Sequence, residues 1–432
     1  MKSLARVIYT GLVYALLPYA WARLKWRARK EPGYGQDIGE RFGRYARSTR
    51  KSSPLIWVHT VSVGETRAAE PLVRALQARY PDHRILLTHM TPTGRRAGQN
   101  IFGESVERCY LPYDFPGGVR LFLERFQPRL GVIFETEIWP NLLYACEARG
   151  VPLCLVNARL SEKSYRGYRW LGALSRPSIA RFTAIAAQTP DDAQRLSTLD
   201  ADDVIVAGNI KFDVTPRSDQ VVLGRGWREM ESRSVLLAAS TREGEEALIL
   251  DAYGQITAAP LLVIVPRHPQ RFDEVALLLE RRGLRYQRRS TGRVVNPLTE
   301  VLLGDTMGEM PAYYAGCDVA YIGGSLLPHG GQNFIEACAV GTPVLLGPHT
   351  YNFALAAEQA IASGAALRIQ NASELAQAAQ RLLSDEVARE EMSQRALEFS
   401  RAHRGATERI LAMLEPLIEG SRLVPRNDAA KV

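Results

Sequence analysis

A chain of 432 residues, 46% hydrophobic and 23% charged, has the composition of a globular protein and length enough for two or three domains. Its net charge of +8 is local: residues 1–51 hold twelve Lys and Arg against Glu31, Asp37 and Glu40, an excess of nine that leaves the rest of the chain at −1, which excludes a protein binding nucleic acid over its whole face. Five cysteines (Cys109, Cys146, Cys154, Cys317, Cys338) show no CxxC spacing, which argues for buried free thiols in a reducing compartment and against a structural metal site.

The chain opens on residues 7–21, VIYTGLVYALLPYAW, a stretch without a charge. As a helix it would be about 22 Å long, short of the ~30 Å hydrocarbon core. Arg23, Lys25, Arg27, Arg29 and Lys30 follow at once, and Tyr9, Tyr14, Tyr19, Trp21 and Trp26 suit a membrane–water interface. The stretch reads as a signal-anchor or interfacial helix with its basic flank held in the cytoplasm against anionic lipid. A cleaved leader, with an A-x-A match at Ala20 and Ala22, and a buried helix of the first domain are the competing readings. Positive charge just downstream opposes export.

From Leu55 strands alternate with helices, and the strands are nearly continuously apolar, which predicts parallel sheets covered on both faces. LIWVHTV leads into VSVGE, and Glu65 sits at a helix N-terminus. There it is either a general base for a substrate hydroxyl or simply a cap that complements the helix dipole. LGVIFETEIWP ends a strand on Glu135 and Glu137, where two carboxylates are costly unless used or solvated. Lys211 follows VIVAGN, as a cation for an anionic substrate or as a solvated surface residue. Asp200 and Asp202 match a DxD pattern only formally and read as solvated.

The composition shifts over residues 216–234, which read as a linker. A second α/β unit begins at VLLAAS, and its first turn, Ser240 to Glu245, loosely echoes that of the first domain. LLVIVPRHPQRF ends a strand on Arg267 and His268, suited to phosphate or to a plain surface turn. Residues 321–348, YIGGSLLPHGGQNFIEACAVGTPVLLGP, read as strand, glycine-rich loop, short helix, turn and strand. Gly323, Gly324, Gly330 and Gly331 permit close backbone approach. Asn333 is placed to cap the helix, Gly341 to stop it, and Glu336 to meet ribose hydroxyls; the helix start would take a phosphate. An ordinary packed βα turn is the alternative. A last long helix is expected over 385–417, then a disordered tail.

The motifs VSVGE (61–65), FETEIWPN (134–141), NARLS (157–161), AGNIKFD (207–213), PRHPQRF (266–272), GEM (308–310) and GGSL…HGGQNFIEA (323–337) together resemble the 3-deoxy-D-manno-octulosonic acid (Kdo) transferases of lipopolysaccharide synthesis, in order and over nearly the whole chain. The resemblance implies an α/β GT-B fold, two Rossmann-like domains facing a central cleft, with an N-terminal membrane-anchor helix. The expected divisions are a membrane anchor at 1–30, an acceptor-binding domain at 31–215, the linker at 216–234, a CMP-Kdo-binding domain at 235–420 and a tail at 421–432. It implies an inverting, metal-independent transfer of Kdo from CMP-Kdo, a donor substrate with no separate cofactor, to the lipid A precursor (lipid IVA) at the cytoplasmic face of the inner membrane. Carried over residue by residue, Glu65 is the base, and Glu135 and Lys211 stabilise the transition state. Arg267, His268, Gly308, Glu309, Met310, Asn333, Phe334, Ile335 and Glu336 contact CMP. The donor's carboxylate makes a nearby cation such as Lys211 suitable. Another lipid-directed GT-B transferase using a different nucleotide sugar is the alternative.

Overall fold

The computed structural model describes residues 4–46 and 53–420. The chain forms two compact units, Met1–Val214 with Arg404–Val432, and Thr215–His403. Each is built on a seven-stranded sheet whose pairings are all parallel. The expected tail at 421–432 lies outside the described residues.

In the first unit the strands are β1 (Leu55–His59), β2 (Arg84–His89), β3 (Glu107–Tyr110), β4 (Leu130–Phe134), β5 (Leu153–Ala158), β6 (Ala184–Ala187) and β7 (Val204–Val206). Their order is β3-β2-β1-β4-β5-β6-β7. Every residue of β1 and β4 is buried, as an uninterrupted apolar strand requires when helices cover both faces. Alternation divides the core in two: Ile56 and Val58 pack with Leu72, Leu76 and Phe134, and Leu55 and Trp57 with Phe122 and Leu142. The chain winds outward from β1 to β3, then crosses to β4 on the other side. The sheet's switch point therefore lies between the carboxyl ends of β1 and β4, where such folds bind ligands.

The second sheet repeats the plan. Its strands are β8 (Val235–Thr241), β9 (Leu261–Pro266), β10 (Tyr286–Arg288), β11 (Val301–Leu303), β12 (Val319–Ile322), β13 (Val344–Leu346) and β14 (Ala366–Arg368), in the order β10-β11-β9-β8-β12-β13-β14. The switch point here lies between β8 and β12.

Three expectations change. Most of the linker expected at 216–234 is a helix, Ser218–Met230, that belongs to the second unit. A Cβ on Gly224 would lie 2.1 Å from the Ala312 carbonyl oxygen, so the absence of a side chain here is what lets two helices touch. Trp227 packs on Tyr313 at 5.5 Å, and Arg228 pairs with Asp318 at 3.1 Å. The expected 385–417 helix is two helices, Glu386–Ala402 and Ala406–Ile418, broken at Gly405 with φ +98°. Asp213 accepts hydrogen bonds from the Gly405 and Thr407 amides at 2.7 and 2.5 Å, and Ile410, Leu411, Leu414 and Ile418 join the core of the first unit. The end of the chain thus returns to the unit where it began, and the second unit closes at His403 instead of 420.

The third concerns the anchor. The N-terminal helix, Leu4–Ala28, docks one side on the first unit. Tyr9 donates to Asp114 and Thr10 to Asn141, both at 2.9 Å, and Arg6 lies over the Tyr144 ring at 3.8 Å. Its other side leaves Leu4, Val7, Ile8, Leu12, Leu16, Tyr19, Trp21 and Trp26 exposed. Among the described residues no helix is long and apolar enough to cross a membrane. The uncharged stretch is too short, and Tyr9 and Thr10 of its docked side are turned to polar partners.

Candidate functional site

In the first unit the expected residues gather at the switch point. Ser62, extended after β1, caps the helix Val63–Ala68, and Glu65 lies in its first turn. The Glu65 carboxylate accepts from the Val61 amide at 2.7 Å and the Ser62 hydroxyl at 2.9 Å. At 9% exposure it is pushed up to about 7, first by burial and then by the Glu135 charge, with Glu137 adding less and the Val61 and Ser62 bonds opposing. Such a carboxylate can hold and release a proton near neutral pH. Behind it Thr66 donates to the Ser62 carbonyl at 2.8 Å, and Thr60 bonds His89 at 3.2 Å, so a buried polar network fixes the turn. Burial depresses His89 to about 4 and keeps it neutral.

Glu135 follows β4 with φ +61°, a left-handed conformation unusual for a residue with a Cβ. Its amide still donates to the Val156 carbonyl at 3.0 Å, so the strand ladder holds the turn while the side chain reaches Lys211 at 3.2 Å. Asn157, near the end of β5 and at φ +52°, accepts from the Ile210 amide at 3.1 Å, and Asn209 accepts from the Lys211 amide at 3.0 Å. Asn157 therefore sets the short turn that carries Lys211, a role its motif alone does not reveal. Glu137 accepts from the Trp139 indole at 2.9 Å and is raised by burial. Asp200 of the DxD match pairs with Arg176 at 2.8 Å.

In the second unit Arg267 and His268 follow β9. The Arg267 guanidinium donates to Gln332 of the glycine-rich loop at 3.1 Å. His268 is exposed and lowered, first by partial desolvation and then by Arg242, Arg267 and Arg271 around it. Gly308 takes φ +89° in open surroundings. The Glu309 carboxylate is held by Arg289 at 3.1 Å and by the Thr306 hydroxyl, and Met310 opens the next helix. The Asn333 side chain accepts from the Ile335 amide at 3.2 Å and donates to Glu336 at 2.8 Å. It therefore acts one residue before the cap position, and the helix it precedes, Ile335–Val340, is only six residues long. Phe334 and Ile335 are each 1% exposed, so their backbone rather than their side chains is what a ligand could meet. Gly341 stops the helix at φ +83° as expected.

Three residues of this end were not singled out as site residues from sequence. Glu245 accepts from the Tyr321 hydroxyl at 2.6 Å and from the Gly324, Arg242 and Leu326 amides at 2.5, 2.9 and 3.1 Å, which binds the first turn to the glycine loop. Arg271, inside the PRHPQRF motif, is consumed by a two-point contact with buried Glu246 at 2.7 and 2.8 Å. Arg242 stands at the carboxyl end of β8; the echo between the two first turns was the available signal.

A family model described as 3-deoxy-D-manno-octulosonic-acid transferase matches residues 36–214, and one described as glycosyl transferases group 1 matches residues 285–399. The chain is 46% identical to a 3-deoxy-D-manno-octulosonic acid transferase of Bordetella pertussis, over 95% of this chain and 99% of that one. It is 36% identical to one of Haemophilus influenzae, over 96% and 99%. The chain belongs to the Kdo transferase family. This Kdo transferase shares its overall fold with a glycosyltransferase from Rickettsia africae at a TM-score of 0.59 and 12% identity, covering 85% of this chain and all of that one. The two-sheet, GT-B-like architecture and the assignment as a glycosyltransferase follow.

Proposed function

We propose that the protein transfers Kdo from CMP-Kdo to a hydroxyl of the lipid A precursor, lipid IVA, with inversion and without a metal. The observation that carries this is Glu65: a carboxylate held by Val61 and Ser62, pushed up to about 7, close enough to Glu135, itself paired with Lys211, to feel that carboxylate's charge. As the ionised form it takes the acceptor hydroxyl's proton. The oxygen forms a bond to the anomeric carbon of Kdo while the bond from that carbon to the CMP phosphate breaks, and CMP leaves with the electron pair. Charge growing on the phosphate is met by Arg267 and by backbone amides of the glycine loop and of the Gly308, Glu309 and Met310 turn. His268, Asn333 and Glu336 would border the nucleotide.

The acceptor is a phosphorylated glycolipid, and the exposed apolar side of Leu4–Ala28 beside its basic flank fits a helix lying in the inner-membrane interface on the cytoplasmic side. The test is thermal stabilisation by CMP against UDP, together with transfer from CMP-Kdo to lipid IVA followed by mass spectrometry. Stabilisation by UDP alone, or no Kdo-bearing product, overturns the reading in favour of another nucleotide sugar.

A further inference from the structure

We propose that Arg242 is the donor-recognition residue that holds the carboxylate of the sugar acid; this rests on the donor reading above. Arg242 directly follows β8 at the switch point, half-buried, with its amide fixed to Glu245 at 2.9 Å. Among the described residues its guanidinium makes no hydrogen bond or ion pair, whereas the neighbouring Arg271 is spent on Glu246 and Arg267 donates to Gln332. It lies against the glycine loop: a Cβ on Gly324, at φ +72°, would sit 3.3 Å from the Arg242 Cγ. Its charge reaches His268 as well, so it faces the same end of the sheet as the residues assigned to the phosphate.

The donor presents two anionic groups. Its carboxylate and its phosphate oxygen are attached to the same anomeric carbon, a few ångströms apart. Arg267 follows β9 and Arg242 follows β8, neighbouring strands about 4.8 Å apart. Two cations spaced by one strand suit two anions spaced by one carbon. Lys211, the cation suggested for the carboxylate by the sequence, is paired with Glu135 instead. A guanidinium also matches a carboxylate in two-point geometry.

The experiment compares the full-length protein with Arg242→Gln and Arg242→Lys for kcat, for the KM of CMP-Kdo and for competitive inhibition by CMP, which lacks the carboxylate. We expect Gln to raise the KM by about tenfold or more while the inhibition constant of CMP stays within about twofold, and Lys to restore part of the loss. Retained inhibition by CMP also reports an intact second unit. An equal rise for CMP and CMP-Kdo would assign Arg242 to the phosphate, and an unchanged KM would leave it no role; either overturns the proposal. A wild-type protein that neither consumes CMP-Kdo nor is inhibited by CMP overturns the donor reading itself, and is told apart by needing no variant.

Discussion

The turns after β1 and β8 stand at the same place in their sheets, each beside the switch point, and each carries a Gly-Glu pair: Gly64-Glu65 in the first unit and Gly244-Glu245 in the second. The two carboxylates have opposite fates. Glu245 receives four donors, three of them backbone amides, and welds the turn to the loop after β12. Glu65 receives two, both from its own turn, and from the strand across the switch point it receives only the like charges of Glu135 and, more weakly, Glu137. A carboxylate saturated with donors is a structural clamp, while one buried and under-supplied can exchange a proton. The same position thus yields scaffold in one unit and chemistry in the other.

The largest expected effect breaks the comparison directly. Glu65→Gln should cut kcat by about a thousandfold, within the range of a lost general base, while CMP inhibition persists. It should not destabilise the fold. A raised acid is a burden wherever the folded state must hold it ionised, so the wild type carries that penalty above about pH 7 and sheds it as pH falls toward 4.5. Gln removes it, and the variant's Tm should exceed the wild type's at pH 8 but match it near pH 4.5. Glu245→Gln should do the reverse. Buried amides left facing an amide nitrogen cost about 1–3 kcal/mol, a fall of several degrees in the Tm, and the loss of activity should follow the loss of folded protein. If Glu245→Gln abolished kcat with the Tm intact, or Glu65→Gln left transfer at the wild-type rate, the division of roles would be wrong.

Glu135→Gln sharpens the reading of Glu65 by its environment. The wild-type rate at low substrate should fall about tenfold per pH unit below about 7, as the base becomes protonated. Because the Glu135 charge is among the causes that raise Glu65, its removal should move that limb to lower pH, whatever it does to the maximum. A limb that stays in place would mean that Glu65 is not the group titrating.

How far these roles were legible in the sequence depends on what each residue touches. Glu65, Glu135 and Lys211 could be singled out because each lies inside a motif in the turn that follows a strand, and the structure brings them to one switch point. Glu245 and Arg242 were passed over because their partners, Tyr321 and Gly324, lie about eighty positions away, and only β8–β12 pairing makes them neighbours. The segment 216–234 looked like a linker from its shift in composition alone; against Ala312, glycine is the only residue type that fits at 224. Asp213 looked like one more member of a catalytic motif, yet it anchors the returning helix Ala406–Ile418. Motif membership marks a residue whose loss matters and does not distinguish a clamp from a base.

Ser62→Ala gives the smallest effect and tests one of the two hydrogen bonds that Glu65 accepts. The Ser62 hydroxyl donates to the ionised Glu65 and so holds its pKa down; alanine should therefore move the acid limb to higher pH, opposite to Glu135→Gln. The same oxygen caps the helix Val63–Ala68, accepting from the Glu65 amide at 3.4 Å, so about 1 kcal/mol of stability should go with it. A double variant, Ser62→Ala with Glu135→Gln, should return the limb toward its wild-type position. The two substitutions act on Glu65 with opposite sign, one by removing a donor and the other by removing a like charge. A limb shifted the same way by both would show that they act through the fold of the turn and not on the carboxylate.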